Sequence, residues 1–478
     1  MSTELDRLYA RLADRIDAVP PPELSAVRAR AAQRRRRSFG GLLAAVAAVV
    51  VAVFGAQAVL APATTPVRPV LPALPAVTEF VPFDGAAEPV IRFAGPVTFG
   101  MTTTIGDRAY AMWMAEDGTE WVGAVDLTTA KPLWPARSLG KFGDTNGMEV
   151  SAGAILLLTE QGFDNPLIKD GSDTIIAIDP ATGQIMWTLP YSFNDTDRVL
   201  YDDTLVISWP QRGVTEALDL RTGKARWTAA ERVLQAGTNA MRAMSEVYAV
   251  GGFAGRTPAD RRVVLHLATG RAQLRDVTTG RVEQEIVAPV VPLDGDRLRQ
   301  ETVVDGVLYQ FAGGRVKVQP LDGQPAVPDQ EVQANLDGAW PTPCIVGPLL
   351  FCAVTGDTGE GATLTAVDPG PGQTVWQREV RSRVRGVFPA EAGVLVMGEP
   401  SVVVAPDGTP LASLDGQAMW IESGNLLVFG PAGVSGHQLS TGENVALGKP
   451  AVAGYCSANA TMLTCPTKDG IGVYRYAR

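Results

Sequence analysis

Five carboxylates recur in this chain at one fixed place. Asp126, Asp179, Asp219, Asp276 and Asp368 each occupy the third position of the same short phrase. Carboxylates that converge can do general acid–base work or hold a cation. Carboxylates that stay local cap turns, because an Asp side chain accepts hydrogen bonds from backbone N–H groups two residues on. The surrounding residues point to the second role. The phrase reads AVDLTTAKPLW at 124–134, AIDPATGQIMW at 177–187, ALDLRTGKARW at 217–227 and AVDPGPGQTVW at 366–376, with a degraded LRDVTTGRVEQ at 274–284. Thr and Gly follow the Asp, as a tight turn closed by a bulge requires. None of the five is assigned to catalysis.

Other chemistry is sparse. His266 and His437 are the two histidines, so a Ser–His–Asp relay would have to use one of them. His266 sits in the apolar run VVLHLAT and His437 in a weak copy of the repeat, and both read as structural. The cysteines fall at 344, 352, 456 and 465. Spacings of 8 and 9 across a hairpin suit disulfides Cys344–Cys352 and Cys456–Cys465, and hence an oxidising compartment. There is no C-x-x-C for a metal site or haem attachment, so neither metal nor cofactor is expected.

The elements that hold these residues follow from the phrase. Apolar alternation before each Asp (Ile176 and Ile178, for example) marks a strand, and the chain returns as a second strand ending in Trp. Trp134, Trp187, Trp227 and Trp376 are expected to pack between neighbouring sheets. Turns align at Ala130, Gly183, Gly223, Gly280 and Gly372, and in weaker copies at Gly323, Gly408 and Gly442. That makes seven intervals over 312 residues, a mean of about 45. A repeat of this size fits one four-stranded blade of a β-propeller. Two further strands precede the motif hairpin in each period, for example 148–150 and 154–160, or 344–346 and 349–354. After Gly442, segments 451–456, 461–465 and 471–476 supply three strands, and EFVPF or PVIRF within 79–93 can supply the fourth from the other end of the chain. The expected fold is all-β, a propeller of eight blades within a range of seven to nine.

The phrase A-x-D-x-x-T-G-x-x-x-W resembles the repeat of PQQ-like β-propellers, over about residues 80–478. That family includes quinoprotein dehydrogenases, a non-catalytic lipoprotein of the outer-membrane assembly machinery, and extracytoplasmic sensor domains of bacterial kinases. The resemblance implies the fold and says little of function. The dehydrogenases carry an adjacent Cys pair, a calcium held by Glu and Asn, and an Asp base. This chain has no adjacent Cys pair, so a non-enzymatic propeller is expected, with a PQQ-dependent or other propeller dehydrogenase as the alternative.

Residues 39–60 are 22 residues with only Gln57 polar, long enough to cross a bilayer as a helix. Arg34 to Arg37 precede them, which predicts a cytoplasmic N-terminus and an extracytoplasmic propeller. The rival reading is a cleaved export signal, with Arg36-Arg37-Ser38-Phe39 as a twin-arginine motif and Ala56-Gln57-Ala58 before the cut. The expected domains are a cytoplasmic helical, Arg-rich segment (1–38), a transmembrane signal-anchor helix (39–60), a Pro-rich stalk (61–78) and the propeller (79–478). Segment 1–38, with Leu5, Leu8, Leu12 and Ile16 on one helix face, either docks a cytoplasmic partner or lies on the inner leaflet. The chain's charge is −10, with nine Arg against five acids in the first 38 residues, leaving −14 for the rest. That balance excludes nucleic acid as a partner.

Binding is expected on the loops between second and third strands, which emerge on one face. Three are long: 161–173, the stretch around 251–260, and 355–362. Asp164, Asp170, Asp173, Asp357 and Glu360 form the candidate acidic patch there. The expected ligand is an extracytoplasmic protein, peptide or glycan, bound by a scaffold or sensor.

Overall fold

Second strands such as Thr204–Trp209 are buried at every position, whereas fourth strands such as Gln373–Val380 alternate exposed with half-buried residues. A strand buried on both faces lies inside a sheet that is itself covered on both sides. The computed structural model describes residues 74–83, 88–160, 173–191, 197–209, 212–238, 261–288 and, with short breaks, 300–478. These residues lie within one unit, Leu71–Arg478. The expected cytoplasmic segment, the membrane helix and stalk residues 61–73 fall outside the described residues. Among the described residues no helix is long and apolar enough to cross a membrane.

The described strands form nine four-stranded antiparallel sheets, one more than the eight expected and at the top of the expected range. Eight of them run in chain order. The first comprises Val97–Ile105, Arg108–Ala115, Glu120–Asp126 and Lys131–Gly140; the second spans Asp144–Tyr191, the third Asp197–Ala229 and the fourth Val233–Val287. The fifth spans Gln300–Glu331, the sixth Thr342–Val380, the seventh Gly386–Leu414 and the eighth Gln417–Gly448. The ninth joins the two ends of the described chain: Ser457–Ala458, Met462–Pro466 and Gly470–Arg475, with Ile91–Arg92 as its fourth strand.

Apolar side chains join each sheet to the next. Met112 and Val122 meet Leu157 and Ile176; Leu156 and Ile175 meet Leu205 and Ile207; Val206 and Ala217 meet Val263 and Leu265. Val264 packs with Leu308, and the Tyr309 and Phe351 rings lie 4.9 Å apart across the fifth and sixth sheets. Leu364 meets Val394, Leu395 meets Trp420, and Leu427 meets Leu463. The succession returns to its start where Ile471 and Val473 pack on Ala111 and Val125. This is the architecture of a β-propeller, in which no broad sheet face is left bare.

The closure uses both N-terminal candidates. Ile91 and Arg92 pair with Ile471 and Gly470, while Phe80 bridges Ala477. Segment 451–456, expected as a strand, is a correction. The first strand here is only Ser457–Ala458, and Tyr455 instead forms a parallel bridge with Met101 of the first sheet. Gly454 permits this approach, since a Cβ there would lie 2.1 Å from the Gly100 carbonyl oxygen. Hydrogen bonds from the Thr102 hydroxyl to the Thr464 carbonyl (2.8 Å) and between Thr104 and Ser457 (2.7 Å) complete the seam.

The last stalk residues are part of this unit. Asn425 Nδ2 donates to the Ala76 carbonyl (2.9 Å) and to the Thr78 hydroxyl (2.8 Å), and the Thr78 N–H donates to Gln438 Oε1 (3.0 Å). Asn425 and Gln438 are buried, so a backbone segment satisfies groups that would otherwise be costly to bury. Residues 76–78, just ahead of the expected boundary at 79, are therefore tied to side chains beside the eighth sheet's strands.

Candidate functional site

In an up-and-down four-stranded sheet, the first-to-second and third-to-fourth connections share one end. The second-to-third connections and the links between sheets share the other. The repeat turns occupy the first end, and their chemistry is spent on structure. Asp126 Oδ1 accepts from the Thr128 and Thr129 N–H groups (both 2.9 Å), Asp179 Oδ1 from Ala181 (2.8 Å), Asp219 Oδ1 from Thr222 (2.9 Å) and Asp276 Oδ1 from Thr279 (2.7 Å). The Thr129 N–H holds the Asp126 carboxyl below the usual range, and Arg226 does the same for Asp219. The turns after Asp179, Asp219 and Asp276 end at a left-handed Gly (Gly183 φ 70°, Gly223 φ 65°, Gly280 φ 72°), with a register shift just before the Asp, and the turn after Asp126 ends at Ala130 (φ 49°). This is the bulged turn expected from the phrase. Gly323 and Gly372 lie outside the described residues.

The motif indoles bind the next sheet. Trp134 Nε1 donates to the Pro180 carbonyl (3.1 Å), Trp187 to Leu220 (2.7 Å), Trp227 to Val277 (2.8 Å) and Trp376 to Pro406 (2.9 Å). In every case the acceptor directly follows the turn-opening residue of the following repeat or lies within its turn. At the same end, Asp203 accepts from Arg226 (3.0 Å) and Arg261 (2.8 Å) across the third and fourth sheets. Partial burial opposes ionisation there, yet these hydrogen bonds bring its carboxyl down to about 2.

The histidines are structural as well. His266, fully buried, has Nε2 2.9 Å from the Ala288 carbonyl, and His437 Nδ1 lies 2.8 Å from Asn444 Oδ1. Both disulfides form where expected. Cys344–Cys352 has an S–S distance of 2.04 Å and joins the first two strands of the sixth sheet; Cys456–Cys465 staples the ninth.

Loop segments 161–172 and 356–360, with Asp164, Asp170, Asp357 and Glu360, lie outside the described residues. Asp173 opens the third strand of the second sheet, paired with Tyr191, at the base of the first of these loops. Burial pushes the Tyr191 hydroxyl up to about 12. The long 239–260 stretch is a correction. The stretch itself lies outside the described residues, but the strands it connects, Val233–Thr238 and Arg262–Leu267, are the first and second of the fourth sheet rather than a second and a third. The second-to-third connection there is the tight turn at Gly270.

What sequence reading missed is the pair of clefts along the seam between the first and ninth sheets, at the end opposite the repeat turns. Segment Ala94–Val97 crosses from the ninth sheet into the first and separates two adjoining clefts. One, of about 320 Å³, is lined by Trp113, Trp121, Glu116, Asp117 and Thr119. The other, of about 550 Å³, is lined by Arg92, Phe93, Lys468 and Asp469. The Trp113 and Trp121 rings are parallel (8°) with centroids 6.3 Å apart, and Phe93 lies 4.9 Å from Trp113. The Glu116 N–H donates to the Pro96 carbonyl (3.2 Å), which ties the dividing wall to the Glu116–Thr119 turn. Asp117 accepts from the Thr119 N–H and hydroxyl (both 2.9 Å). The clefts were hidden because their residues come from opposite ends of the domain.

Beside the seam, Glu120 is fully buried and faces the second sheet, where the Thr145 hydroxyl donates to its Oε1. Burial pushes this carboxyl up to about 7; the Thr145 bond restrains the rise and the Asp144 carboxylate adds to it. Asp144 pairs directly with Glu160 on the next strand. Glu116, Asp117, Glu120, Asp144, Glu160 and Asp173 thus gather acidic groups at this end of the first two sheets.

Residues 118–324 match the family described as outer membrane protein assembly factor BamB. No curated protein matches the chain. Among solved structures, BamB from Moraxella catarrhalis is similar at 14% identity, with 84% of this chain and 98% of that one covered and a TM-score of 0.43. The computationally designed Ika8 protein is similar at 15% identity, with 70% of this chain and 98% of that one covered and a TM-score of 0.41. Its sheet order is that of a β-propeller, and on its repeat and the family match over 118–324 the chain resembles the PQQ-like propellers and the outer-membrane assembly factor among them.

Proposed function

We propose that this protein is a membrane-anchored, extracytoplasmic propeller that binds a protein, peptide or glycan and serves as a scaffold or sensor rather than an enzyme. One observation carries the reading. The recurrent carboxylates are consumed in capping their own turns and the indoles in joining sheet to sheet, while an open, aromatic-floored cleft lies at the opposite end. Rigid scaffolds present ligands to such loop ends. The nine sheets are read as nine blades, residues 39–60 as the anchor and residues 1–38 as the cytoplasmic arm. Two buried disulfides support an oxidising location.

The deciding experiment is crosslinking in intact cells, combined with protease accessibility from outside. Recovery of a discrete partner on a protease-accessible propeller supports the reading. A protease-protected propeller overturns the assigned topology, and turnover of a quinone-linked substrate by purified full-length chain with PQQ and calcium overturns the non-enzymatic role.

A further inference from the structure

The cleft between the first and ninth sheets combines features that select one kind of ligand group. Its floor carries indoles, of which Trp113 is buried and Trp121 half-buried. Its rim carries two exposed carboxylates, Glu116 and Asp117. Asp117 is oriented by two hydrogen bonds from Thr119, and its carboxyl is held below the usual range chiefly by the Thr119 N–H, so it stays ionised. Lys141 approaches it only to 3.8 Å, with both side chains largely exposed, an arrangement that leaves the charge well hydrated.

An indole face beside carboxylates attracts a cation by the ring quadrupole and by charge together. The third sheet shows the pairing within this chain: the Arg212 guanidinium sits 4.5 Å from the Trp209 ring centroid, at the end of a second strand on the same side. The acidic groups continue from the cleft across the second sheet through Asp144, Glu160 and Asp173. Outside residues 1–38 the chain carries a net charge of −14.

We infer that this cleft is the docking site for a basic segment of a partner polypeptide, whose Arg or Lys side chain lies against Trp121 between Glu116 and Asp117. The flanking basic residues of that segment run along the acidic end of the second sheet. The inference rests on the scaffold reading and names the chemistry of its partner.

The test uses the full chain in detergent and a dye-labelled synthetic peptide of alternating Arg and Gly, followed by fluorescence anisotropy at physiological salt. Its Glu-for-Arg counterpart and free arginine serve as comparison arms. The expected result is saturable binding of the basic peptide and none of the acidic one, with free arginine competing only at far higher concentration. Trp121→Ala is expected to weaken binding about 5-fold or more, the scale of a partly desolvated cation–aromatic contact. The double variant Glu116→Gln with Asp117→Asn, at exposed positions that leave the core intact, is expected to weaken it by about 10-fold. No binding of the basic peptide, or equal affinity in wild type and the charge variant, overturns the inference. A cellular partner still crosslinked equally by both variants would sink this docking site while leaving the scaffold reading in place.

Discussion

Trp134 of the first sheet lies directly on Gly183 of the second: a Cβ at Gly183 would fall 2.6 Å from the indole ring. The same relation holds for Trp187 on Gly223 (2.7 Å), Trp227 on Gly280 (2.5 Å) and Trp376 on Gly408 (2.7 Å). The turn glycine therefore does two things. It adopts a left-handed φ, and it leaves bare backbone as a seat for the preceding sheet's indole. Gly and Trp of the phrase are partners across sheets rather than within one.

Gly183→Ala is expected to destabilise the protein by about 2–4 kcal/mol, combining left-handed strain with overpacking against the ring. Gly106→Ala, with φ 55° but nothing within 4 Å, should cost only about 1–2 kcal/mol. Chemical denaturation of the two variants checks the difference; equal losses would refute the seat.

Ala130 fills the glycine slot of the first repeat and holds φ at 49°. Ala130→Gly relieves that strain and is expected to stabilise the fold by about 1 kcal/mol, read as a raised thermal midpoint.

Glu120 gives a signed pH dependence. Its carboxyl rises from 4.5 to about 7 on folding, so between those values the unfolded chain releases a proton that the folded protein keeps. This contribution to stability is complete below about pH 4.5, falls as pH rises through the window, and levels off above about pH 7 at a cost of roughly 3 kcal/mol. Glu120→Gln should flatten that slope in denaturant midpoints measured from pH 5 to 8; an unchanged slope would count against the assignment.

Phe80 lies over Gly436, where a Cβ would come within 2.5 Å of its ring, and joins the core between the eighth and ninth sheets. Phe80→Ala is expected to cost about 3–5 kcal/mol. Amide exchange should quicken at Val81, whose N–H donates to the Tyr476 carbonyl, while protection in the third and fourth sheets persists.

Replacing both Cys344 and Cys352 by Ala reopens a short loop, and chain entropy sets the loss at about 2–3 kcal/mol. Because both sulfurs are buried, thiol reagents should reduce this bridge only as the sheet opens, which mass spectrometry of trapped thiols can follow.

Much of this architecture was legible in the residues. Asp–Thr–Gly marks its turn because the hydrogen bonds involved span two or three positions, so Asp126, Asp219 and Asp276 could be placed without a fold. Cys456 and Cys465 are nine apart, and their bridge was readable for the same reason. The stretch around 251–260 was misplaced because RVVLHL after it is as apolar as a third strand, and only pairing with Val233–Thr238 on one side and with Arg271–Asp276 across Gly270 on the other makes it the second.

Chain-local chemistry thus specifies the hairpin, its turn and its repeat, since a turn needs only its own few atoms. Tertiary structure decided the number of sheets, the docking of residues 76–80 on Asn425 and Gln438, the burial of Glu120 and the aromatic cleft beside Ala94–Val97. Each of these joins residues far apart in the chain, and only the packing of one sheet on another brings them within reach.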